Sequence, residues 1–305
     1  ILQNPYMHAH LSFGGWTNNQ VNTAPMFLKL STSQTNMQNF ATQAVALMKK
    51  TKFSGLDIDW EWWSEPEQAP AKQMLSFYKI LRAELDKAGA ADGKHYTLTI
   101  AVNAGVDRVN AMQDPSNPNS VADYWKQVNT LVDQINLMSY DYHGAYDNSK
   151  PAYFHANYDF ANIPLDKQAD VGQTSGWSIK AVVAAYQANG ITAKKLVLGL
   201  PAYARTMSVS GGTNGGLLQA VSGAGFGDYE AGVLDYKCLV NPVADKANGC
   251  KNVSAGLSDL VFYNSKATGT ALSAFNTYGR DAMQPWAYSP STNTFVTFDD
   301  TWSVT

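Results

Sequence analysis

Five short apolar segments alternate with amphipathic helical segments from the N-terminus to about Arg205, and this alternation constrains the fold more than any other feature. The apolar segments predict strands at HAHLSF, FSGLDIDW, YTLTIAV, VDQINLMSY and KKLVLGL. The predicted helical stripes are Phe40, Ala44, Leu47 and Met48; Met74, Phe77, Leu81 and Leu85, with Gly89 as the stop; and SIKAVVAAYQ, with Gly190 as the stop. Strands separated by helices predict a parallel sheet.

A barrel and a doubly wound sheet both fit this alternation. No GxGxxG follows any strand, which weakens the nucleotide-binding version of the doubly wound fold. We therefore predict an α/β chain with a TIM (β/α)8 barrel portion over residues 1–206. Residues 207–305 change to Gly- and Ser-rich spacing with short β-like pieces, which indicates a small α+β insertion domain. The polar connection 142–177 is predicted to wall the cleft.

Three carboxylates, Asp57, Asp59 and Glu61, stand at alternate positions of the second strand segment. Successive strand residues point to opposite faces, so all three share one face, with about 6.6 Å between residues two apart. Like charges this close raise the pKa of at least one carboxyl, and a general acid must hold its proton near neutral pH. The segment therefore predicts acid–base catalysis.

Two other interpretations of these carboxylates stay open. They could be the solvated face of an exposed edge strand, although Gly55 before them and three tryptophans, Trp60, Trp62 and Trp63, favour the end of a barrel strand. They could hold a divalent cation, as in some transferases, but that interpretation predicts a phosphate-binding glycine loop and none is visible. The five histidines show no ligand set, so no metal and no cofactor are expected.

Composition and charge argue against several classes of partner. A net charge of −3 and a pI near 5.9, with no Lys/Arg run longer than a pair, indicate neither nucleic acid nor an anionic membrane as partner. No apolar stretch approaches the roughly 20 residues that span a bilayer. Aromatic residues make up 12 % of the chain, enough for a core and for a cleft that stacks on sugars.

The two cysteines, Cys238 and Cys250, lie close together in a polar loop. Their spacing is compatible with a disulfide that would contribute roughly 3 kcal/mol in the chain-entropy model. Free surface thiols are the alternative and would suit a cytosolic protein. The first residues lack a basic region and a small-residue cleavage site, so we expect any export signal to lie outside this chain.

Four motifs in chain order resemble those of the glycoside hydrolase family 18 chitinases of bacterial type. The matches are Ser12, Gly14 and Gly15 to Ser-x-Gly-Gly, with Trp16 following; Asp57, Asp59 and Glu61 to Asp-x-x-Asp-x-Asp-x-Glu; Met138, Tyr140 and Asp141 to Met-x-Tyr-Asp; and Tyr203 and Arg205 to Tyr-Gly-Arg. The stretches GDYEAGVLDYKCL and WAYSPSTNTFVTFDDTWSV are similar to the insertion domain of this family. The resemblance therefore covers nearly the whole chain.

Three departures from the family pattern bear on the prediction. Ser54 replaces the first Asp of the signature, so the buried charge below Asp57 is missing, and Ala204 replaces the glycine before Arg205. The glycine pair belongs to the third barrel strand of the family, and TFDD precedes its last helix and strand. We therefore expect a barrel without its first two strands and its last strand, in a fragment of a longer secreted enzyme. Trp286 is not assigned to the sugar-binding floor because its surroundings match the insertion.

The resemblance implies retaining, substrate-assisted hydrolysis of β-1,4-linked N-acetylglucosamine, with chitin or chito-oligosaccharides as the partner of a secreted monomer. Glu61 is implied as the general acid, Asp59 as the group that orients the acetamido nitrogen, and Asp57 as the group that tunes Asp59. Tyr140 is implied to donate its hydroxyl to the acetamido group. The implied substrate-binding residues are Asp141, Met138, Tyr203, Arg205, Trp16 and Trp62. Core packing is the alternative for the tyrosines, the tryptophans and Met138, and a structural ion pair is the alternative for Arg205.

Three rival functions stay open. A glycan-binding protein that has lost catalysis would usually lack the terminal Glu, whereas Glu61 is present. An endo-β-N-acetylglucosaminidase acting on N-linked glycans would share Asp59, Glu61 and Tyr140, but an insertion that deepens the cleft favours linear chitin. A metal-dependent transferase would use Asp57 and Asp59 and would lose its activity with a chelator.

Overall fold

The computed structural model describes residues 7–18, 21–22, 24–62, 69–228, 230–240, 250 and 257–305, so Trp63 lies outside the described residues. The chain divides into two compact units. Unit 1 comprises residues 1–138 and 183–198, and unit 2 comprises residues 139–182 and 199–305. Unit 2 thus contains the connection 142–177 together with the predicted insertion, whereas the division at residue 206 stays a prediction.

Unit 1 is built on a five-stranded parallel sheet. Its strands are β1 His10–Gly14, β2 Gly55–Asp59, β3 Thr97–Asn103, β4 Gln134–Met138 and β5 Leu196–Leu198. They pair in chain order, each parallel to the next. A doubly wound sheet reverses its strand order at a switch point, so this unbroken order is that of a (β/α) barrel. A two-residue antiparallel pair, Thr17–Asn18 with Val21–Asn22, follows β1.

In the described part of the chain, six α-helices connect these five strands. They are α1 Ala24–Ser31, α2 Gln34–Thr51, α3 Ala71–Asp92, α4 Val106–Ala111, α5 Tyr124–Leu131 and α6 Ile179–Ala188. The start of α2 is capped by Ser33, whose hydroxyl accepts a hydrogen bond from the Asn36 amide at 3.2 Å. No helix within the described part of the chain is long and apolar enough to cross a membrane.

The predicted helical stripes are confirmed on α3 and partly wrong elsewhere. All four predicted residues of α3 are buried. On α2, however, Leu47 is 43 % exposed, because the buried face runs along Met37, Ala41, Ala44, Val45 and Met48. Gly89 does not stop α3; it is buried within the helix, which ends at Gly93. Gly93 has a φ of 65°, the left-handed conformation that a helix C-cap requires and that glycine adopts without strain.

Unit 2 contains a six-stranded antiparallel sheet, which confirms strands in the predicted pieces VLDYK, LVFYN and TFVTF. The strands are β6 Tyr203–Val209, β7 Val221–Ala224, β8 Val233–Asp235, β9 Val261–Tyr263, β10 Trp286–Ser289 and β11 Thr294–Thr297. Their order is β8-β6-β11-β10-β9, with β7 also paired to β6. The helices are α7 Tyr236–Val240 and α8 Gly269–Ala274. Helix α8 continues through a short π-helix, Phe275–Gly279, to Arg280–Ala282.

The core of unit 2 draws on both of its chain segments. Trp286 is fully buried, stacks on Tyr263 at 4.8 Å between ring centroids, and packs against Phe154 at 5.5 Å. Phe154 belongs to the connection 142–177, which also supplies buried Tyr153 and Ile163 to this core. The connection is therefore a packed part of unit 2, because its aromatic side chains are buried there with those of the antiparallel sheet.

Cys238 and Cys250 form a disulfide, with their Cα atoms 5.3 Å apart, and both are buried in a second core cluster of unit 2. Together with Asp228, the two cysteines are the one group of candidate metal ligands within the described residues. Both sulfur atoms of this group, however, are bonded in the disulfide.

We expect the double variant Cys238→Ala/Cys250→Ala to lower the free energy of unfolding by about 3 kcal/mol, because the unfolded chain regains the entropy of the closed loop. The cysteines are 12 positions apart. Equilibrium denaturation in guanidinium chloride measures the loss, and the parent under reducing conditions should approach the variant. Equal midpoints for oxidised parent and variant would contradict the prediction.

Candidate active site

Asp57, at the centre of β2, accepts hydrogen bonds from side chains of three other strands, the two neighbours β1 and β3 and the next strand β4. The Ser12 hydroxyl of β1 donates to Oδ2 at 2.8 Å, and the Thr99 hydroxyl of β3 donates to Oδ1 at 2.5 Å. The Asn136 amide of β4 donates to Oδ1 at 3.3 Å. Ser12 and Thr99 are the register partners of Asp57 in the sheet. The carboxylate is thus a fixed acceptor, and Thr99 and Asn136 are supporting residues that the sequence analysis missed.

Asp59 lies two residues farther along β2 and has a different environment. Its Oδ1 atom is buried and has no hydrogen-bond partner among the described residues. Burial, and after it the charge of Asp57, raise the pKa of Asp59 to about 6. The pKa of Asp59 is therefore raised mainly by burial and only secondarily by the neighbouring carboxyl that the sequence analysis invoked, and Asp59 changes protonation close to neutral pH.

Glu61 lies beyond the end of β2, which stops at Asp59, and is only 8 % exposed. The preceding residue, Trp60, is buried, and its ring stacks on that of Phe27 with 5.2 Å between the ring centroids. Trp62 is 7 % exposed with the Arg108 guanidinium 5.4 Å from its ring centroid, so its burial favours the packing role that the sequence left open. Trp16, in contrast, is 53 % exposed.

The glycine pair at the end of β1 lets the backbone approach the carboxylate strand. The Gly15 amide donates to the Asp59 carbonyl oxygen at 2.9 Å. Gly14 has a φ of 116°, and a Cβ atom there would overlap the same carbonyl group. Only glycine fits this position, because any side chain would force β1 away from Asp59.

We expect Gly14→Ala to lower the free energy of unfolding by about 3 kcal/mol, from backbone strain together with the overlap. Gly93→Ala is the matched control. Gly93 also has a positive φ of 65°, but a Cβ there meets nothing within 4 Å, so we expect a loss of about 1 kcal/mol. Urea denaturation measures both, and equal losses would show that the approach to Asp59 is unimportant.

Unit 2 carries a second polar cluster, centred on Asp141. Arg205 donates to it twice, from Nε to Oδ1 at 2.8 Å and from a terminal nitrogen to Oδ2 at 2.6 Å, and the Tyr203 hydroxyl donates to Oδ1 at 2.9 Å. Burial alone would raise the pKa of Asp141, but the hydrogen bonds from Arg205, with His155 nearby, hold that pKa well below its usual range. Asp141 therefore stays ionised and fixes Arg205 in a bidentate pair.

Two further residues of this cluster were not predicted. His155 is fully buried, with Nδ1 3.5 Å from Oδ1 of Asp141. Tyr146 donates from its hydroxyl to the Asp141 carbonyl oxygen, and the Arg205 guanidinium lies 5.6 Å from its ring centroid. The ring centroids of Tyr140 and Tyr203 lie 6.4 Å apart, edge to face. The one sequence signal for His155 is a histidine inside an aromatic run, AYFHANYDF.

The model of the glycosyl hydrolases family 18 matches residues 2–305. The chain belongs to this family. Chitinase 1 of Aphanocladium album is 32 % identical over 272 residues, which are 87 % of this chain and 57 % of that protein. Chitinase A1 of Niallia circulans is 28 % identical over 312 residues, covering 99 % of this chain and 38 % of that protein. The chain thus spans about half the length of the curated relatives it matches.

Solved structures show the fold of this family 18 chain. An immunomodulatory active chitinase from Trichuris suis superimposes with a TM-score of 0.71 at 20 % identity, covering 99 % of this chain and 68 % of that one. A mutant chitinase from Cycas revoluta in complex with (GlcNAc)4 gives 0.70 at 20 % identity, covering 99 % and 71 %. The parallel strands β1 to β5 therefore belong to the TIM-barrel fold of family 18.

Proposed function

We propose that this family 18 chain is a chitinase that hydrolyses β-1,4-linked N-acetylglucosamine with retention, by a substrate-assisted mechanism. The observation that carries the proposal is the carboxylate series of β2, in which Asp57 is locked by three donors while Asp59 has a pKa of about 6 and Glu61 follows. The names of the relatives support the substrate class, as does the neighbour in complex with (GlcNAc)4.

In the first step, Glu61 protonates the glycosidic oxygen while the 2-acetamido oxygen of the same sugar attacks the anomeric carbon. The bond to the leaving sugar breaks, and the electron pair stays on the leaving oxygen with the proton from Glu61. The product is an oxazolinium ion, whose positive charge is stabilised by ionised Asp59. In the second step, Glu61 takes a proton from water, whose oxygen attacks the anomeric carbon. The bond between that carbon and the acetamido oxygen breaks, its electron pair returns to the acetamido group, and the β configuration is restored.

Asp57 tunes this cycle through Asp59. Its carboxylate stays in place because Ser12, Thr99 and Asn136 satisfy it, and its charge contributes to the raised pKa of Asp59. Asp59 can therefore be neutral in the free enzyme at mildly acidic pH and become ionised, by releasing its proton to solvent, when positive charge develops on the sugar. A carboxyl with an ordinary pKa would already be ionised before that charge appears.

The polar cluster of unit 2 is proposed to bind substrate. Tyr140 donates its hydroxyl to the acetamido group, and Arg205, Tyr203 and Asp141 hold sugar hydroxyls. Support comes from the bidentate pair and the Tyr203 contact, which fix these side chains before substrate arrives and so lower the entropic cost of binding. Met138 is proposed to line the acetamido pocket and exposed Trp16 to stack on a sugar ring.

The proposed setting is extracellular, with the protein acting as a monomer on chitin or chito-oligosaccharides. The disulfide Cys238–Cys250 supports secretion, because disulfides persist in oxidising compartments. The division of the chain into a barrel portion over residues 1–206 and an α+β insertion domain over residues 207–305 is part of this proposal.

Mass spectrometry of the products from N-acetylglucosamine oligomers, together with proton NMR of the new reducing end, tests the proposal. We expect short oligomers, chitobiose among them, that appear first as the β-anomer and continue to form with a chelator present. Binding without turnover would identify a glycan-binding protein. Turnover confined to N-linked glycans would identify an endoglycosidase, and loss of activity with the chelator would identify a metal enzyme.

A further inference from the structure

The side chain of Asn103, at the end of β3, reaches the segment that follows the carboxylate strand. Its Nδ2 atom donates to the carbonyl oxygen of Trp62 at 3.1 Å. Trp62 directly follows Glu61, and both residues lie beyond the last ladder position of β2. We propose that Asn103 is a positioning residue that fixes the backbone after Glu61. The inference rests on the proposed role of Glu61 as general acid.

Asn103 is itself held by the protein behind it. The Tyr186 hydroxyl donates to the Asn103 carbonyl oxygen at 2.8 Å. The Tyr186 ring packs edge-on against Trp125 at 4.7 Å, and the Trp125 indole donates to the Val109 carbonyl oxygen at 2.8 Å. Tyr186, Trp125 and Val109 are all buried. The anchor of the Glu61 segment is therefore part of the rigid core of unit 1.

Trp62, whose carbonyl oxygen accepts the hydrogen bond from Asn103, has a second contact through its ring. The ring of Trp62 is buried, with the Arg108 guanidinium 5.4 Å from its centroid. A hydrogen bond from the Asn103 side chain to the Trp62 backbone and a cation–π contact to the Trp62 ring thus restrain the same residue. Together they limit the orientations that the neighbouring Glu61 can adopt.

A small cavity lies beside Asn103. Asn103 and Trp60 line a cavity of about 20 Å³, which has room for one water molecule. Asn103 Oδ1 and Trp60 Nε1 are buried, and neither has a hydrogen-bond partner among the residues that the structure describes. Oδ1 can only accept a hydrogen bond and Nε1 can only donate one, and both belong to residues that line this cavity. The other amide atom of Asn103, Nδ2, donates to the Trp62 carbonyl oxygen.

The role of Asn103 predicts an effect on the catalytic step more than on substrate binding. A displacement of about 1 Å at a reacting group can lower the rate about 100-fold. Asn103→Ala removes the donor at every pH, so we expect kcat to fall at least about tenfold across the pH range with KM nearly unchanged.

The variant Asn103→Asp separates positioning from packing, because it keeps the shape of the side chain. A protonated carboxyl can donate to the Trp62 carbonyl, whereas an ionised carboxylate cannot and repels it. We therefore expect the ratio of variant to parent kcat to be low at pH 8 and to rise as the pH falls toward about 4, where the carboxyl of an aspartic acid takes up its proton. Asn39→Asp is the matched control, because it makes the same amide-to-acid change at an exposed position of α2, and its ratio should stay flat.

If the parent enzyme hydrolyses the oligomers, the kinetics of the variants test the positioning role of Asn103. A flat ratio for Asn103→Asp, or parent kcat for Asn103→Ala, would overturn it. Crystal structures of parent and Asn103→Ala give a readout independent of activity, with the expected result that the backbone at residues 61–62 shifts. An unchanged Glu61 position would overturn the positioning role. A parent without turnover would instead remove the proposed function, and the crystal structures would still decide whether Asn103 positions Glu61.

Discussion

Glu61→Gln is expected to lower kcat on N-acetylglucosamine oligomers by about 10²- to 10⁴-fold, because the amide keeps the shape of the carboxyl but cannot transfer a proton to the glycosidic oxygen. Affinity should change little, since the groups proposed to hold the sugar are untouched. Steady-state kinetics give kcat, and isothermal titration calorimetry gives the Kd of the oligomer for parent and variant.

Glu230→Gln is the matched control for this substitution. Glu230 is an exposed carboxylate of unit 2, so the same chemical change there should leave kcat and Kd at the parent values. Thermal unfolding of both variants checks that neither effect comes from loss of the fold. Turnover by Glu61→Gln at the parent rate would remove Glu61 from the chemistry, whereas weakened binding with kcat preserved would make it a sugar-binding residue.

The strands of unit 1 could be predicted because each is a short apolar segment and helices separate them. Helix details were less accessible. Both Leu47 and Met48 fit an apolar stripe on α2, but the buried face passes through Met48 and leaves Leu47 43 % exposed. The choice between such neighbours depends on how the helix is rotated against the sheet, and the sequence of the helix alone does not contain that rotation.

The carboxylates themselves could be found from sequence, but their support could not. Thr99 on β3 and Asn136 on β4 each stand between two buried apolar neighbours, as Asp57 does on β2. The sequence shows only that each side chain points to the face opposite its apolar neighbours on its own strand. Whether that face is the face of Asp57 depends on strand register, and a slip of one residue would turn every side chain to the other side.

The Asp141 cluster shows a second limit of sequence reasoning. Asp141, Tyr203 and Arg205 were predicted as one set from a family resemblance, and the structure brings them together. His155 was missed because its role depends on tertiary packing. Its amide donates to the Thr297 hydroxyl, 142 positions away in the chain. No local pattern connects two such residues.

Asp59→Asn is expected to make the protein more stable at pH 7 and much less active. Burial and the charge of Asp57 raise the pKa of Asp59 from 3.8 to about 6. Between these two values the native state binds more protons than the unfolded state, so stability falls as the pH rises through this window. The penalty of an ionised Asp59 is complete above about pH 6, and Asn avoids it because the amide is neutral at every pH.

The gain in stability should therefore be absent below about pH 4, grow between pH 4 and 6, and stay constant above. Urea denaturation at several pH values measures it, with Asp166→Asn as the control, because that side chain is 73 % exposed. Over the same range kcat should fall about 10²- to 10³-fold, since the oxazolinium loses its stabilising charge. A pH-independent change in stability would contradict the raised pKa, whereas retained activity would contradict the charge-stabilising role. The opposite signs of the two effects are characteristic of a buried charge that the fold tolerates at a cost in stability because catalysis requires it.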